Sequence, residues 1–303
     1  MGETGKNLFS IFNSLFSYLN TRFTMNTIAI ILLILLNILA LYGTAVEPFW
    51  IEVDHRTIPV SAEHAFMKNV RCVHISDVHM DRYGWFEKRI VRIVNEQKPD
   101  MVFVTGDSIH YRRDYGEALR FFSDLKAPEG VYVVMGNAEY HAFNLVLDAL
   151  HTNTYSDTVH ILQNEMRTLS LPQGGTIRIT GLADPITGAA DFSLLTKPCD
   201  PATYSIVLMH AFVEEAWSPK VTADLICSGH THGGQVDILP GFIMKRWLDG
   251  EYHLTIPYLR GLHQRGKTWI NVSRGLGVSA LPIRVNSRPE VSVLSFEEKK
   301  IEN

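Results

Sequence analysis

From about residue 70 onward, short apolar runs alternate with polar loops and with longer stretches whose apolar positions recur at helical spacing. The runs VRCVHIS, MVFVTG and VYVVMG are rich in valine, and the segments between them, 84–97 and 116–125, read as helices. Strand, helix, strand in that order is the pattern of βαβ units feeding a parallel sheet. TIRITGL, YSIVLMH, DLICSG, TWINVS and EVSVLSF supply further strand candidates, with no internal repeat and no low-complexity segment. The expected class is α/β.

The first 46 residues follow another pattern. Residues 27–44, TIAIILLILLNILALYGT, carry no charge and only Asn37 as a strongly polar interruption. At about 1.5 Å rise per residue this nearly spans the apolar core of a bilayer. The stretch starts late and runs long for a signal peptide, and it lacks the polar stripe of a core helix, so a membrane segment is expected. Ahead of it, 8–19 (LFSIFNSLFSYL) mixes large apolar residues with serines and an asparagine, as an interfacial helix does. The expected organisation is a two-part anchor over 1–46, a connector over 47–69 in which 51–60 could add an edge strand, and a folded domain over 70–303.

Composition narrows the function. With 46% hydrophobic and 20% charged residues among 303, the chain can bury a sizeable core. A formal net charge of −4 supplies no global basic field, so no nucleic-acid partner is expected, and nothing points to a protein partner. The three cysteines, Cys72, Cys199 and Cys227, are read as buried free thiols.

The chemistry lies where the strands end. The first run leads into Asp77-Val78-His79, the second into Gly106-Asp107, the third into Gly136-Asn137; later runs lead into His210 and into Gly229-His230-Thr231-His232. Open α/β sheets place their sites at the carboxyl ends of strands. One such residue is more often a cap or a satisfied polar group, but five strand ends bearing metal-ligand side chains are hard to explain by capping. Carboxylates, imidazoles and one amide form a hard-to-borderline donor set suited to Mn, Fe, Zn or Mg. Two adjacent ions need a shared carboxylate, for which Asp107 is the natural bridge, and a pair about 3.5–4 Å apart can clamp attacking and leaving oxygens at phosphorus.

The ordered set DVH at 77–79, GD at 106–107, GN at 136–137, His210 and GHTHGGQ at 229–235 resembles the calcineurin-like metallophosphoesterases over about residues 70–296. The resemblance implies a four-layer α/β/β/α sandwich, preceded here by the membrane helix. It implies two divalent ions, with manganese expected and magnesium, iron or zinc as alternatives. Asp77, His79 and His232 would hold the first ion, Asn137, His210 and His230 the second, and Asp107 both, with water activated there for attack at phosphorus.

One position departs from the pattern. The family usually reads Gly-Asn-His followed by Asp or Glu, the His assisting the leaving group; this chain reads Gly136-Asn137-Ala138-Glu139-Tyr140-His141. Alanine can neither donate a proton nor stabilise charge. Three readings stay open: an engineered His→Ala change, transfer of the role to His141, or a natural loss of catalysis.

The membrane segment, GHTHGGQ and the tail YLRGLHQRGKTWINVSRGLGVSALPIR resemble the branch that acts on lipid-linked phosphates, including the UDP-2,3-diacylglucosamine pyrophosphatases of lipid A biosynthesis in their chlamydial form. The implied partners are a lipid-linked nucleotide, cleaved to UMP and an acylated sugar phosphate, and membrane lipid. Residues 241–263 interleave Phe242, Ile243, Met244, Trp247, Leu248, Tyr252, Leu254, Ile256, Tyr258 and Leu259 with Lys245, Arg246 and Arg260, a surface for lipid phosphate or simply a layer packed on the sheet. Arg82, Arg112, Arg113, Arg260, Arg274 and Arg284 are candidates to grip a second phosphate. A broad envelope phosphodiesterase or phosphatase, and a metal-dependent lipid-binding module, are the competing functions. Lys6 and Arg22 precede the apolar stretch and Arg56 follows it, a weak charge bias toward a cytoplasmic N-terminus. A UDP-linked substrate argues the other way, and the expected placement is an inner-membrane protein, single-pass or monotopic, with its catalytic domain in the cytoplasm.

Overall fold

A computed structural model describes residues 3–110, 115–142, 146, 149–150, 156–187, 189–237 and 254–299. The chain divides into two compact units, Met1–Val46 and Glu47–Asn303.

The first unit is one helix, α1 (Glu3–Leu41), extended by a π-helical turn over Tyr42–Val46. The backbone runs unbroken through both parts of the expected anchor. Apolar side chains from Ile28 to Leu41 are exposed on every side, with no polar stripe to turn toward water. The stretch Thr24–Phe49 is long and apolar enough to cross a membrane. Two of its polar side chains bond to the preceding turn: Asn37 Nδ2 donates to the Leu33 carbonyl (2.8 Å) and Thr44 Oγ1 to that of Ala40 (2.7 Å). Such i−4 bonding is what hydrocarbon surroundings demand of a polar group.

The second unit holds two six-stranded sheets. The first contains β1 (Glu52–Val60), β2 (Cys72–Ile75), β3 (Met101–Thr105), β4 (Val131–Val134), β5 (Val159–Ile161) and β12 (Glu290–Glu298), in the order β1-β12-β2-β3-β4-β5. The second contains β6 (Glu165–Ser170), β7 (Thr176–Gly181), β8 (Thr203–Leu208), β9 (Leu225–Ser228), β10 (Gly261–Arg265) and β11 (Thr268–Val272), in the order β10-β11-β9-β8-β7-β6. Strands β2 to β5 are mutually parallel, as are β7, β8, β9 and β11.

The central strands are apolar at nearly every position because both of their faces are covered. In β3, Val102 and Val104 face the helices α2 (Trp85–Glu96) and α3 (Tyr115–Ser123), while Met101 and Phe103 face the other sheet. Tyr204, Ile206 and Leu208 of β8 meet them across the interface, and Val207 points outward. Among the described residues the outer layer on the second sheet consists of 3₁₀ turns, Phe192–Thr196 and Glu214–Ala216, rather than long α-helices. The expected four-layer sandwich is therefore present with an unequal outer pair. Leu254, Ile256, Tyr258 and Leu259 belong to this layer and pack onto the second sheet, whereas Phe242, Ile243, Met244, Lys245, Arg246, Trp247, Leu248 and Tyr252 lie outside the described residues.

Residues 47–69, expected as a connector, are built into the fold. Strand β1 runs parallel to β12 in register from Glu52↔Glu290 to Val60↔Glu298 and buries Ile58 and Val60 in the inter-sheet core. Its charged residues and Pro59 suit an edge strand, where side chains and backbone face water on one side. Cys72 and Cys227 are buried free thiols, and Cys199 is half-buried.

Candidate metal centre

The strand ends of both sheets deliver their polar side chains to one edge of the sandwich. The β2 and β3 ladder continues past the strands, with Asp77 N donating to Gly106 O (3.0 Å), His79 N to Asp107 O (2.9 Å) and Met80 N to Ser108 O (3.0 Å). The two loops are thereby locked side by side. The second sheet is tied in by His230 N, which donates to both carboxylate oxygens of Asp77 (3.0 Å each), and by Gly229 N, which donates to His210 O (2.7 Å).

Strain marks this edge. Asp77, His79, Asp107, His230 and His232 all have positive φ, between 45° and 71°, a region costly for residues with a Cβ. At Gly106, with φ +85°, a Cβ would stand 2.5 Å from Gly136 N and 2.7 Å from His210 Nδ1, so only glycine lets these loops close.

Two groups of ligand atoms converge there, Asp77 with His79 and His232, and Asp107 with His210 and His230. His79 Nε2 lies 3.1 Å from His232 Nε2, and His210 Nε2 lies 3.1 Å from His230 Nδ1 and 3.0 Å from Asn137 Oδ1. Asp107 reaches both groups, with Oδ2 3.5 Å from His79 Nε2 and Oδ1 3.5 Å from His210 Nε2. All seven side chains are buried. Buried lone-pair atoms crowded this closely repel one another unless cations lie between them, so the donor set fits divalent ions.

The outer atoms of the ligands are held too. His210 Nδ1 donates to the Thr105 carbonyl (2.8 Å), which leaves Nε2 as the coordinating nitrogen. Burial works against charge on this ring, yet the carboxylates of Asp107, Asp77 and Asp184 carry its pKa up to about 9. Burial, reinforced by the charges of Glu139 and Asp77, raises Asp107 to about 8. Burial, then the electrostatic influence of His210, His110 and Arg284, lowers His79 to about 3; His230 and His232 are likewise lowered, first by burial.

Ala138 is fully buried, and its amide donates to Asp107 Oδ1 (2.8 Å). His141 is exposed at the end of the short helix α4 (Asn137–His141), and its Nδ1 donates to the Asn137 carbonyl (2.6 Å).

Three of the candidate arginines have partners within the protein. Arg274 Nε donates to Glu290 (2.6 Å) and Nη1 to Glu52 (3.1 Å). Arg284 is fully buried, donating to the carbonyls of Gly277, Ser287 and Arg274, and its Nη2 lies 3.3 Å from His232 Nδ1. Arg260 is paired with Asp237 (2.7 Å) and bonded to the Asn286 carbonyl (3.0 Å). All three hold the walls of the site. Arg82 is exposed at a cleft that also takes in His79, and Arg112 and Arg113 lie outside the described residues.

Two supporting groups escaped the sequence reading. The buried Glu139 carboxylate accepts from the amides of Gly136 (2.8 Å), Asp107 (2.9 Å) and Ser108 (2.6 Å). Buried between the sheets, His74 contacts Thr105 Oγ1 through Nε2 (2.8 Å) and receives Asn271 Nδ2 at Nδ1 (2.8 Å), backing the residue whose carbonyl orients His210. An acid three residues after Gly136 was a visible signal for the first; nothing local distinguishes the second.

The calcineurin-like phosphoesterase family matches residues 70–234, a stretch that contains all seven of these side chains. The chain belongs to that family. YkuE of Bacillus subtilis, an uncharacterized metallophosphoesterase, is 30% identical over 265 residues, covering 84% of this chain and 89% of its own. Cj0846 of Campylobacter jejuni, also uncharacterized, is 31% identical over 244 residues, covering 77% and 60%. A Bos taurus transmembrane protein with metallophosphoesterase domain is 27% identical over 288 residues, covering 89% and 62%, so the chain spans about three fifths of the latter two. Calcineurin-like phosphoesterases are metal-dependent phosphoester hydrolases, and the two ligand groups of this one stand ready for that chemistry.

Proposed function

We propose that this phosphoesterase cleaves the pyrophosphate of UDP-2,3-diacylglucosamine, releasing UMP and 2,3-diacylglucosamine 1-phosphate, with two manganese ions and a catalytic domain on the cytoplasmic side of the inner membrane. The observation that carries the reading is that a buried two-group ligand site shared by Asp107 and a helix long enough to cross a bilayer belong to one chain. A phosphate whose far end is lipid needs both. Two divalent ions bound there supply Lewis acidity and activate water for attack at phosphorus. The Thr105 carbonyl orients His210 and the His230 amide holds Asp77; Arg82, which lines the neighbouring cleft, is the candidate for the second phosphate.

Ala138 supports a pyrophosphate over an alkyl ester. A phosphate ester leaves as an anion whose conjugate acid has a pKa of roughly 6, whereas an alkoxide is closer to the roughly 16 of water. The first departs without a proton donor; the second does not. The same alanine favours a second reading, a metal-dependent lipid-binding protein without turnover.

Product analysis of metal-loaded protein tests the proposal. Release of UMP from UDP-diacylglucosamine is expected; equal rates on generic phosphodiesters would point to a broad phosphodiesterase, and tight binding with no turnover, even in Ala138→His, to the binding protein. Protease added to intact spheroplasts should leave residues 70–303 uncut, and their digestion without detergent would overturn the cytoplasmic placement.

A further inference from the structure

Beside the metal centre lies an open cleft of ≈ 250 Å³ with the ligand His79 among its lining residues and the aromatic rings of Phe49, Trp85 and Phe86 at its rim. Pro48, Val78, Leu276 and Val278 line the rest of the apolar wall, and the charged residues Asp81, Arg82 and Glu87 line the cleft as well. That wall is tied to the metal loop, because the amides of Leu276 and Gly277 donate to the carbonyls of Ser76 (3.0 Å) and Asp77 (2.6 Å). The three rings form one cluster, with Phe49 5.6 Å from Trp85 and 5.5 Å from Phe86, and Trp85 5.6 Å from Phe86.

Phe86 packs against the core, but the other two rings do not. Helix α2 buries Ile90, Val91 and Val94 against the first sheet, yet Trp85 at its start remains 64% exposed and Phe49 39%. Large exposed aromatics grouped around a cleft mark a ligand surface. Phe49 is held by Arg89, whose Nη1 donates to its carbonyl (2.7 Å), and Arg288 stacks 3.9 Å from the centre of the neighbouring Trp50 ring. Guanidinium groups among exposed aromatics complement an amphiphile with an anionic head. The cleft is smaller than the roughly 300–1,000 Å³ of a pocket that encloses a whole drug-sized ligand, so it suits one extended chain rather than a complete head group.

We infer that this cleft is the subsite for an acyl chain of the phosphate-bearing substrate, leading from the metal centre past His79 and out between Phe49 and Trp85. The inference rests on the proposed lipid-linked substrate and adds which surface recognises its apolar end.

The test uses the full-length, manganese-loaded protein in lipid nanodiscs with dodecyl phosphate brominated along its chain, a short-range quencher of tryptophan fluorescence. Quenching is expected to saturate, to be displaced by inorganic phosphate and to disappear on chelation of the metal; Trp85→Phe should remove most of it. Phe49→Ser should weaken dodecyl phosphate roughly tenfold relative to inorganic phosphate. Undiminished quenching in Trp85→Phe, or quenching indifferent to phosphate and chelator, overturns the subsite; the second pattern makes the aromatic rim a bilayer contact. Because the readout is binding, absence of UMP release with this quenching intact refutes the proposed reaction alone. UMP release without it refutes the subsite alone.

Discussion

Glu139 accepts a hydrogen bond from the backbone amide of Asp107 at 2.9 Å, so the bridging carboxylate is held in place by a second, buried carboxylate that takes no part in the ligand groups. The same group also receives the amides of Gly136 and Ser108. Removing it in Glu139→Ala takes this acceptor from the amides of Gly136, Asp107, Ser108 and Ile109, and each buried unsatisfied donor costs about 1–3 kcal/mol. The variant is expected to lose several degrees of thermal stability and to bind metal at reduced stoichiometry, with Glu139→Gln intermediate. Unchanged melting temperature and metal content would show that the carboxylate does not position Asp107.

Asp107 faces both ligand groups at 3.5 Å, whereas His232 belongs to one. Asp107→Ala is therefore expected to lose both ions, and His232→Ala chiefly the ion of the Asp77 group. Elemental analysis after gel filtration reads this directly; two ions retained by Asp107→Ala would refute the bridge.

Metal uptake should depend on pH in a defined direction. Asp107, raised by burial, and His210, raised by the carboxylates around it, are a coupled pair that retains a proton in the metal-free protein at neutral pH and must release it to coordinate. His79, at about 3, and His230 and His232, both lowered by burial, are already neutral there. Apparent affinity should climb as pH rises from about 6 to about 9, with about one to two protons released per site near neutrality. Calorimetry in buffers of different ionisation enthalpy measures the release, and an affinity flat across that range would contradict it.

Restoring an imidazole at position 138 should help poor leaving groups most. Ala138→His is expected to raise the rate on alkyl phosphodiesters by about 10²–10⁴-fold and to change pyrophosphate cleavage far less, since general acid catalysis acts on the departing oxygen. His141, bonded to the Asn137 carbonyl, should be replaceable by alanine without comparable loss. A series of leaving groups of graded pKa distinguishes these outcomes. No gain on any substrate would exclude a lost histidine as the cause of low activity.

Arg284 should behave as a wall of the site rather than as a hand on substrate. Its carbonyl partners at Gly277, Ser287 and Arg274 are all internal, so Arg284→Met strands buried acceptors and is expected to cost roughly 3 kcal/mol of stability. A folded variant of unchanged stability with only a raised KM would restore the substrate-binding role.

The seven candidate ligands could be picked out because their signals are local. A Val-rich run that ends in Asp-Val-His or Gly-Asp declares a strand and the polar side chains at its carboxyl end within a few residues, and the uncharged stretch 27–44 declares its own solvent. Side-chain partnership is not local. Arg274 meets Glu52 across 222 positions and Asn271 meets His74 across 197, so whether an arginine grips substrate or buttresses a wall is decided only when β1, β11 and β12 have found their neighbours. Strand β1 carries mixed charge and Pro59 because one edge faces water, and that same composition reads as a linker until β12 pairs with it. The cleft is more distant still, since Phe49, Trp85 and Val278 come together only through packing of separate elements. Backbone preference and burial pattern act over a turn or a strand, and they set the elements and their ends; long-range packing sets who stands beside whom, and with it the walls, the supports and the apolar approach to the metal centre.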